Sequence, residues 1–311
     1  MSAPIWTLPP DLVVEPSEDM FANAPNVWHL PKDVWDKIWS DFRGQGETIA
    51  ILDTGYSPHT DLPTPVAQRS FIRGEDVRDG NAHGTHCAGT ALGRNGIGVA
   101  PLANLMVGKV LSNRGSGSST GIAEGVLWAI DNGATIISMS LGGDTPHEPT
   151  RKAIQRANDN GILVCASAGN AGQRLPNNTI GNPGRYLESY CSGSMDQQGR
   201  ISSFSSAGRE MDGVTPGSSI VSTSNTSPTG YKTMSGTSMS CPFAAGLFAV
   251  VRSGMARAGA VRLGGIDDWR KWLTQFFTDQ GPVGHDPTWG HGVPDYTKIV
   301  AYLAQDEIKW V

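Results

Sequence analysis

Five short apolar runs rich in β-branched residues, at 48–53, 104–111, 135–139, 162–166 and 190–194, alternate with stretches of helical period. A run that is apolar at both odd and even positions has no solvent face, so it belongs in a sheet covered on both sides. Between the runs, residues 120–132 carry Ile122, Val126, Ala129 and Ile130 at helical spacing and stop at Gly133. Residues 149–160 run through Ile154 and Ala157 to Gly161 in the same way. This order predicts an α/β fold, a mainly parallel sheet with helices on both faces and right-handed crossovers. Residues 238–258 differ, because their small and apolar side chains surround the whole helix. Such a helix is predicted to lie buried at the centre of the molecule. Pro242 stands near its start, where a missing N–H costs least.

A chain of 311 residues can bury a large core without disulfides or metals. Its net charge is −5 and no basic block occurs, which argues against a nucleic-acid partner. No apolar run reaches the roughly 18 residues that suggest a membrane span. Residues 1–10 lack the basic cluster and apolar stretch of a secretory signal, so the expected location is cytoplasmic. A secreted mature form of a processed precursor is the alternative. The four cysteines match neither a zinc spacing nor a disulfide framework and are expected to be buried free thiols, with a Cys165–Cys191 bridge as the alternative. Residues 1–47 hold eight acidic and three basic side chains, which accounts for the whole net charge. They also contain Trp6, Trp28, Trp35 and Trp39, and four further tryptophans follow residue 265, so both flanks are expected to pack.

Four pieces carry chemistry. Asp53 ends the first apolar run, where ligands of open parallel sheets bind, and reads either as a capping or turn residue or as a site carboxylate. His83 and His86 lie in Asn81-Ala82-His83-Gly84-Thr85-His86-Cys87-Ala88-Gly89-Thr90, at a helix start. No Glu follows the first His, so the zinc-protease pattern fails, and His83 reads either as a structural residue or as a general base. Asn170, in Ala168-Gly169-Asn170-Ala171-Gly172, again follows a strand and reads either as a turn residue or as a donor toward developing negative charge. Ser238, in Ser235-Gly236-Thr237-Ser238-Met239, opens the buried helix; it reads either as a cap or as a nucleophile favoured by the helix N-terminus.

Taken together, the motifs Asp53-Thr54-Gly55, His83-Gly84-Thr85-His86, Ser140-Leu141-Gly142-Gly143, Ala168-Gly169-Asn170, Pro216-Gly217 and Gly236-Thr237-Ser238-Met239 resemble the subtilisin-like serine proteases. The resemblance runs over residues 27–303. It implies a three-layer fold with the serine on the central helix, and a serine endopeptidase with the triad Asp53, His83 and Ser238. Asn170 would supply the oxyanion hole. Gly115, Ser116 and Gly117 on one side and Ser140, Leu141 and Gly142 on the other would hold an extended peptide. Ala168, Gly169 and Gly181 would wall a neutral first pocket for a large apolar side chain. Ser119 stands where relatives carry a larger lid residue, so the fourth pocket is expected to be open. The partners implied are proteins or peptides, with neither nucleic acid nor membrane. The chemistry needs no cofactor.

Three departures matter. Phe243 replaces a usual His and Thr215 a usual Ala. The short stretch 91–101 lacks the calcium loop of secreted relatives, so Asp61 is not expected to bind calcium. A structural calcium at Asp212, with carbonyls near Glu188 and Tyr190, is implied by several relatives; a hydrogen-bonded or solvated Asp is the alternative. Cys87 after His86 is similar to the proteinase K branch, with a thiol beneath the catalytic His. The layout as a whole is similar to the intracellular subtilisins. Residues 1–25 are therefore read as an extension able to inhibit, with Leu8-Pro9-Pro10 in the groove, and residues 26–311 as the peptidase domain. A structural strap is the alternative for the extension. For the whole chain, the alternatives are a dedicated processing protease or a silent peptide-binding relative.

Overall fold

The computed structural model describes residues 3–9, 12–14, 27–257 and 263–305. In chain order these form β1 (Ile5–Thr7), β2 (Leu12–Val14), α1 (Lys32–Trp39), β3 (Thr48–Asp53), β4 (Ala67–Ser70), α2 (His83–Leu92) and β5 (Asn104–Lys109). Next come β6 (Ser116–Ser118), α3 (Ser119–Asp131), β7 (Ile136–Met139), α4 (Glu148–Asp159), β8 (Leu163–Ser167) and β9 (Tyr190–Met195). The chain then makes β10 (Gly213–Pro216), β11 (Ile220–Thr223), β12 (Tyr231–Ser235) and α5 (Thr237–Arg257). Helix α6 (Ile266–Phe276), β13 (Phe277–Thr278), β14 (Val293–Pro294) and α7 (Tyr296–Leu303) follow.

Seven strands make one parallel sheet in the order β10-β9-β8-β7-β3-β5-β4. The predicted α/β class is therefore the observed one. Alternation along β3 divides the core in two. Ile49 and Ile51 join one apolar cluster with side chains of α2 and α5, while Ala50 and Leu52 join another with side chains of α3 and α4. Two residues on from Ile51, Asp53 falls on the α2 and α5 face. The strand order also reverses at β3, whose neighbours β5 and β7 lie on either side, and Asp53 sits at its carboxyl end.

The described residues of both flanks pack as expected. Trp35 on α1 is fully buried and meets Phe243 edge-on at 6.2 Å. His29 approaches the same ring at 6.2 Å, so an aromatic cluster occupies the position where a His was usual. Trp269 and Trp272 on α6 pack around Phe248 of α5. Thr215 donates to the Ser240 carbonyl at 2.8 Å, which gives its hydroxyl a partner in the interior. All four cysteines are buried and free.

Candidate active site

The turn after β3 lies directly against the start of α2. A Cβ on Gly84 would stand 2.4 Å from the Gly55 carbonyl oxygen, and Gly55 itself has φ +117°. Glycine at both positions allows this approach. It brings His83 Nδ1 to 2.8 Å from Asp53 Oδ1, with both side chains buried. Asp53 Oδ1 also accepts from the Thr54 N–H at 2.7 Å.

A residue that no sequence motif singles out organises this corner. Asp79 Oδ1 accepts from Thr54 Oγ1 and from the N–H groups of Asn81 and Ala82, and Oδ2 accepts from the N–H and hydroxyl of Thr85. One carboxylate thus ties the β3 turn to the first turn of α2. Burial alone would raise its pKa, but these hydrogen bonds outweigh burial and hold it below the ordinary carboxylate value. Ala82, before His83, has φ +89°, a conformation costly for alanine that the two flanking bonds to Asp79 impose.

Ser238 is the second residue of α5 and is buried. Pro242, four residues on, has no N–H to give its carbonyl. That carbonyl accepts instead from Ser140 Oγ at 2.8 Å and from Cys87 Sγ at 3.5 Å. Cys87 Sγ is also 3.7 Å from His83 Nδ1, so one thiol bridges the histidine and serine elements. Burial pushes this thiol up to about 12, and it is protonated at neutral pH. Asn170 follows β8, and its Oδ1 accepts from the N–H and hydroxyl of Thr237 at 3.0 and 2.9 Å. This fixes the amide so that Nδ2 is the end able to meet an anion. Thr237 Oγ1 in turn accepts from the Gly169 N–H at 3.0 Å.

The two expected edge segments come together with a strand already between them. β1 pairs antiparallel with β6, Trp6 standing opposite Gly117. On its other side Thr7 and Gly142 exchange two hydrogen bonds of 2.9 Å. Leu8 N–H donates to Gly115 O at 2.9 Å, and Ser119 N–H donates to Pro4 O at 2.9 Å. Beyond, Pro9 borders a cavity of about 320 Å³ shared with Leu141, Gly142, Ala168, Gly169, Asn170 and Gly181. Asp144, the acidic member of its lining, has an exposed side chain. The Trp6 side chain is fully buried and joins the cluster of Leu111, Ile122 and Leu141. β2 then pairs antiparallel with β12, Leu12 opposite Ser235. Pro10 lies outside the described residues.

Asp212, considered for calcium with a hydrogen-bonded Asp as the alternative, lies apart from this group and is hydrogen-bonded within the protein. Arg270 Nε donates to Asp212 Oδ1 at 2.7 Å and Nη2 to Oδ2 at 3.3 Å, while the Cys191 N–H reaches Oδ2 at 2.8 Å. The same guanidinium takes the Leu187 carbonyl at 2.8 Å and the Ser189 carbonyl at 3.4 Å. Carboxylate and carbonyls are thus engaged by a side-chain cation, and the donor set does not fit a metal. No spacing in the sequence linked Arg270 to Asp212, 58 residues away. Asp61 is similarly engaged, by Asn95 Nδ2 at 2.7 Å and by the Tyr231 hydroxyl.

Residues 44–289 match the model of the Subtilase family. The chain is 40% identical over 227 residues to subtilisin DY of Bacillus licheniformis, covering 70% of this chain and 81% of the relative. It is 41% identical over 214 residues to subtilisin Savinase of Lederbergia lenta, covering 67% and 77%. With thermitase of Thermoactinomyces vulgaris it shares 40% over 234 residues, covering 73% and 82%. Strands β1 and β2 precede the matched region.

Proposed function

This chain belongs to the subtilase family and is a subtilisin-like serine endopeptidase, and from that premise we propose Ser238, His83 and Asp53 as its triad. Ser238 Oγ attacks the peptide carbonyl while His83 takes its proton, then returns it to the leaving amine. Water later cleaves the acyl-enzyme by the same route. Asp53 holds the Nδ1 proton of His83 and stabilises the imidazolium. The Asn170 amide and the Ser238 N–H receive the oxyanion. The buried 2.8 Å contact between His83 and Asp53 carries this reading. Ser238→Ala is expected to abolish both peptide hydrolysis and labelling by a fluorophosphonate. Labelling at the wild-type rate would reject Ser238 as nucleophile.

Specificity is read as broad, with a large apolar residue before the cut bond. Main-chain pairing along the groove demands little of the sequence, and the cavity of about 320 Å³ suits such a side chain. Residues 1–25 are read as a built-in inhibitor and 26–311 as the peptidase domain. Support comes from the pairing of residues 5–8 with both groove edges, and from Val27, Leu30 and Trp35, which join the main core cluster. Proline gives the bound segment little to cut, and tethering holds it near at a roughly millimolar effective concentration. Buried free thiols support work in a reducing compartment. Removing residues 1–25 is expected to raise kcat/KM. A lower melting temperature without that gain would make the segment a strap.

A further inference from the structure

We propose that His285 and His291 form a binding site for a zinc-like divalent transition-metal ion, and that the bound ion clamps the loop between β13 and β14 onto the edge of the sheet. None of the proposed triad residues belongs to this site, and its role is stability. The sequence sets the two histidines at the ends of His285-Asp286-Pro287-Thr288-Trp289-Gly290-His291. Folding brings those ends together. Asp286 and Gly290 exchange backbone hydrogen bonds of 3.2 and 2.9 Å across an antiparallel bridge. His285 and His291 are the next pair outward, the narrow kind that exchanges no hydrogen bonds and brings side chains closest on one face. Their ring centres are 5.1 Å apart, with the planes at 68°. Two imidazoles sharing one tetrahedral zinc, at about 2.0–2.1 Å per Zn–N bond, hold their ring centres about 5 Å apart.

The ligand atoms are prepared. His285 Nε2 stands 2.7 Å from the Met211 carbonyl oxygen. A carbonyl only accepts, so Nε2 carries the proton and Nδ1 is the bare nitrogen. In metal sites a backbone carbonyl commonly fixes a ligating histidine in this way. Among the described residues, neither His285 Nδ1 nor either ring nitrogen of His291 has a hydrogen-bond partner. The backbone carrying the rings is held at several points. Asp286 Oδ1 accepts from the N–H groups of Thr288 and Trp289 at 2.8 and 3.1 Å. The His291 N–H donates to the Asp212 carbonyl at 2.9 Å, and the Val214 N–H of β10 donates to the Gly292 carbonyl at 2.9 Å. Ligands positioned beforehand lose little freedom on binding. His285 is exposed and His291 half-buried, so an ion can enter from solvent. Asp212 and Asp279 favour positive charge at His291, while Arg270, engaged with Asp212, opposes it. Among the described residues no third His, Cys or carboxylate oxygen lies close enough to complete a set of three, so water takes the remaining positions. Imidazole nitrogens suit zinc, copper and nickel, whereas calcium and magnesium take oxygen ligands.

The test uses full-length Ser238→Ala protein, chosen to prevent self-cleavage, titrated with zinc chloride in a calorimeter. One zinc per chain is expected at the pair. At roughly a hundredfold excess of free zinc over its dissociation constant the melting temperature should rise by about 5 °C, because the ion binds only the folded loop. Calcium at the same concentration should give no such rise. Adding His285→Ala or His291→Ala should weaken zinc binding by at least about tenfold and remove the rise. His285 is exposed, so its variant keeps the test valid should His291→Ala not fold. Copper in place of zinc should give an electron paramagnetic resonance spectrum split by two nitrogens, and either variant should lose that splitting. The buried group Asp53, His83 and Cys87 is the competing set of ligands. Zinc binding that survives both histidine changes and disappears with His83→Ala would overturn the proposal. Failure of the folded protein to bind zinc, or an equal rise with calcium, would overturn it as well.

Discussion

Asp79 reaches no substrate in the proposed mechanism, yet five hydrogen bonds converge on it and join the turn bearing Asp53 to the helix bearing His83. Asp79→Ala leaves those donors buried without a partner and is expected to lower stability by about 2–3 kcal/mol. It should also lower kcat, since His83 loses its fixed approach; thermal melts and single-turnover rates check both. Asn170→Ala is expected to lower kcat by about 10²–10³ with little change in KM, a magnitude known for the corresponding donor in subtilisin. Thr237 acts through that amide, holding its oxygen. Thr237→Val should therefore reduce kcat by about tenfold at constant KM, and Thr237→Ser should restore it. A Thr237→Val effect confined to KM would remove the positioning role. The motifs brought Asn170 and Ser238 forward as candidates in the sequence, because their neighbours are small and fixed. Asp79 was not legible, since a cap that works across two elements follows no local period.

Among the elements, the sequence revealed the five strands with neighbours on both sides. β3, β5, β7, β8 and β9 are interior, and burial on both faces writes continuous apolar runs. The two edge strands escaped notice. β4 reads Ala-Gln-Arg-Ser and β10 ends in Pro216, compositions that an edge tolerates and an interior strand does not. β1 and β2 have three residues each, too few to show alternation. The link from α6 back to the sheet was also invisible, because Arg270 and Asp212 meet only after folding. Breaking a largely buried pair leaves Asp212 uncompensated. Arg270→Gln is expected to cost about 3 kcal/mol and to lower the melting temperature by several degrees. Wild-type melting should not change at this site between calcium and chelator. A rise in calcium that disappears with Asp212→Asn would restore the metal site.

The whole molecule carries buried histidines whose protonation opposes folding, His29 and His86 the most deeply buried among them. Burial lowers His29 from 6.5 to about 4 and His86 from 6.5 to about 3. His86 Nε2 sits 3.0 Å from both the Ile220 and the Lys232 carbonyls, joining α2 to the β11–β12 hairpin. Both rings are neutral in the fold, while the unfolded chain takes up protons below about pH 6.5. Their contribution is thus complete above that pH. It is lost as pH falls toward about 4 and 3, each ring giving up about 1.4 kcal/mol for every pH unit crossed. Melting temperature should decline from about pH 6.5 downward, and His86→Gln should flatten the decline; a level profile to about pH 4 would contradict this. The position of β1 has a kinetic consequence. On the inhibitor reading proposed above, the blocking strand and the groove belong to one molecule, so blockage is first order and dilution does not relieve it. On that reading the sequence that follows Leu8, Pro9-Pro10, carries a tertiary amide, a poor bond for the resident serine to open. Removal by proteolysis then needs a second, already open molecule. Progress curves should begin with a lag that shortens as protein concentration rises, and a trace of trimmed enzyme should abolish it.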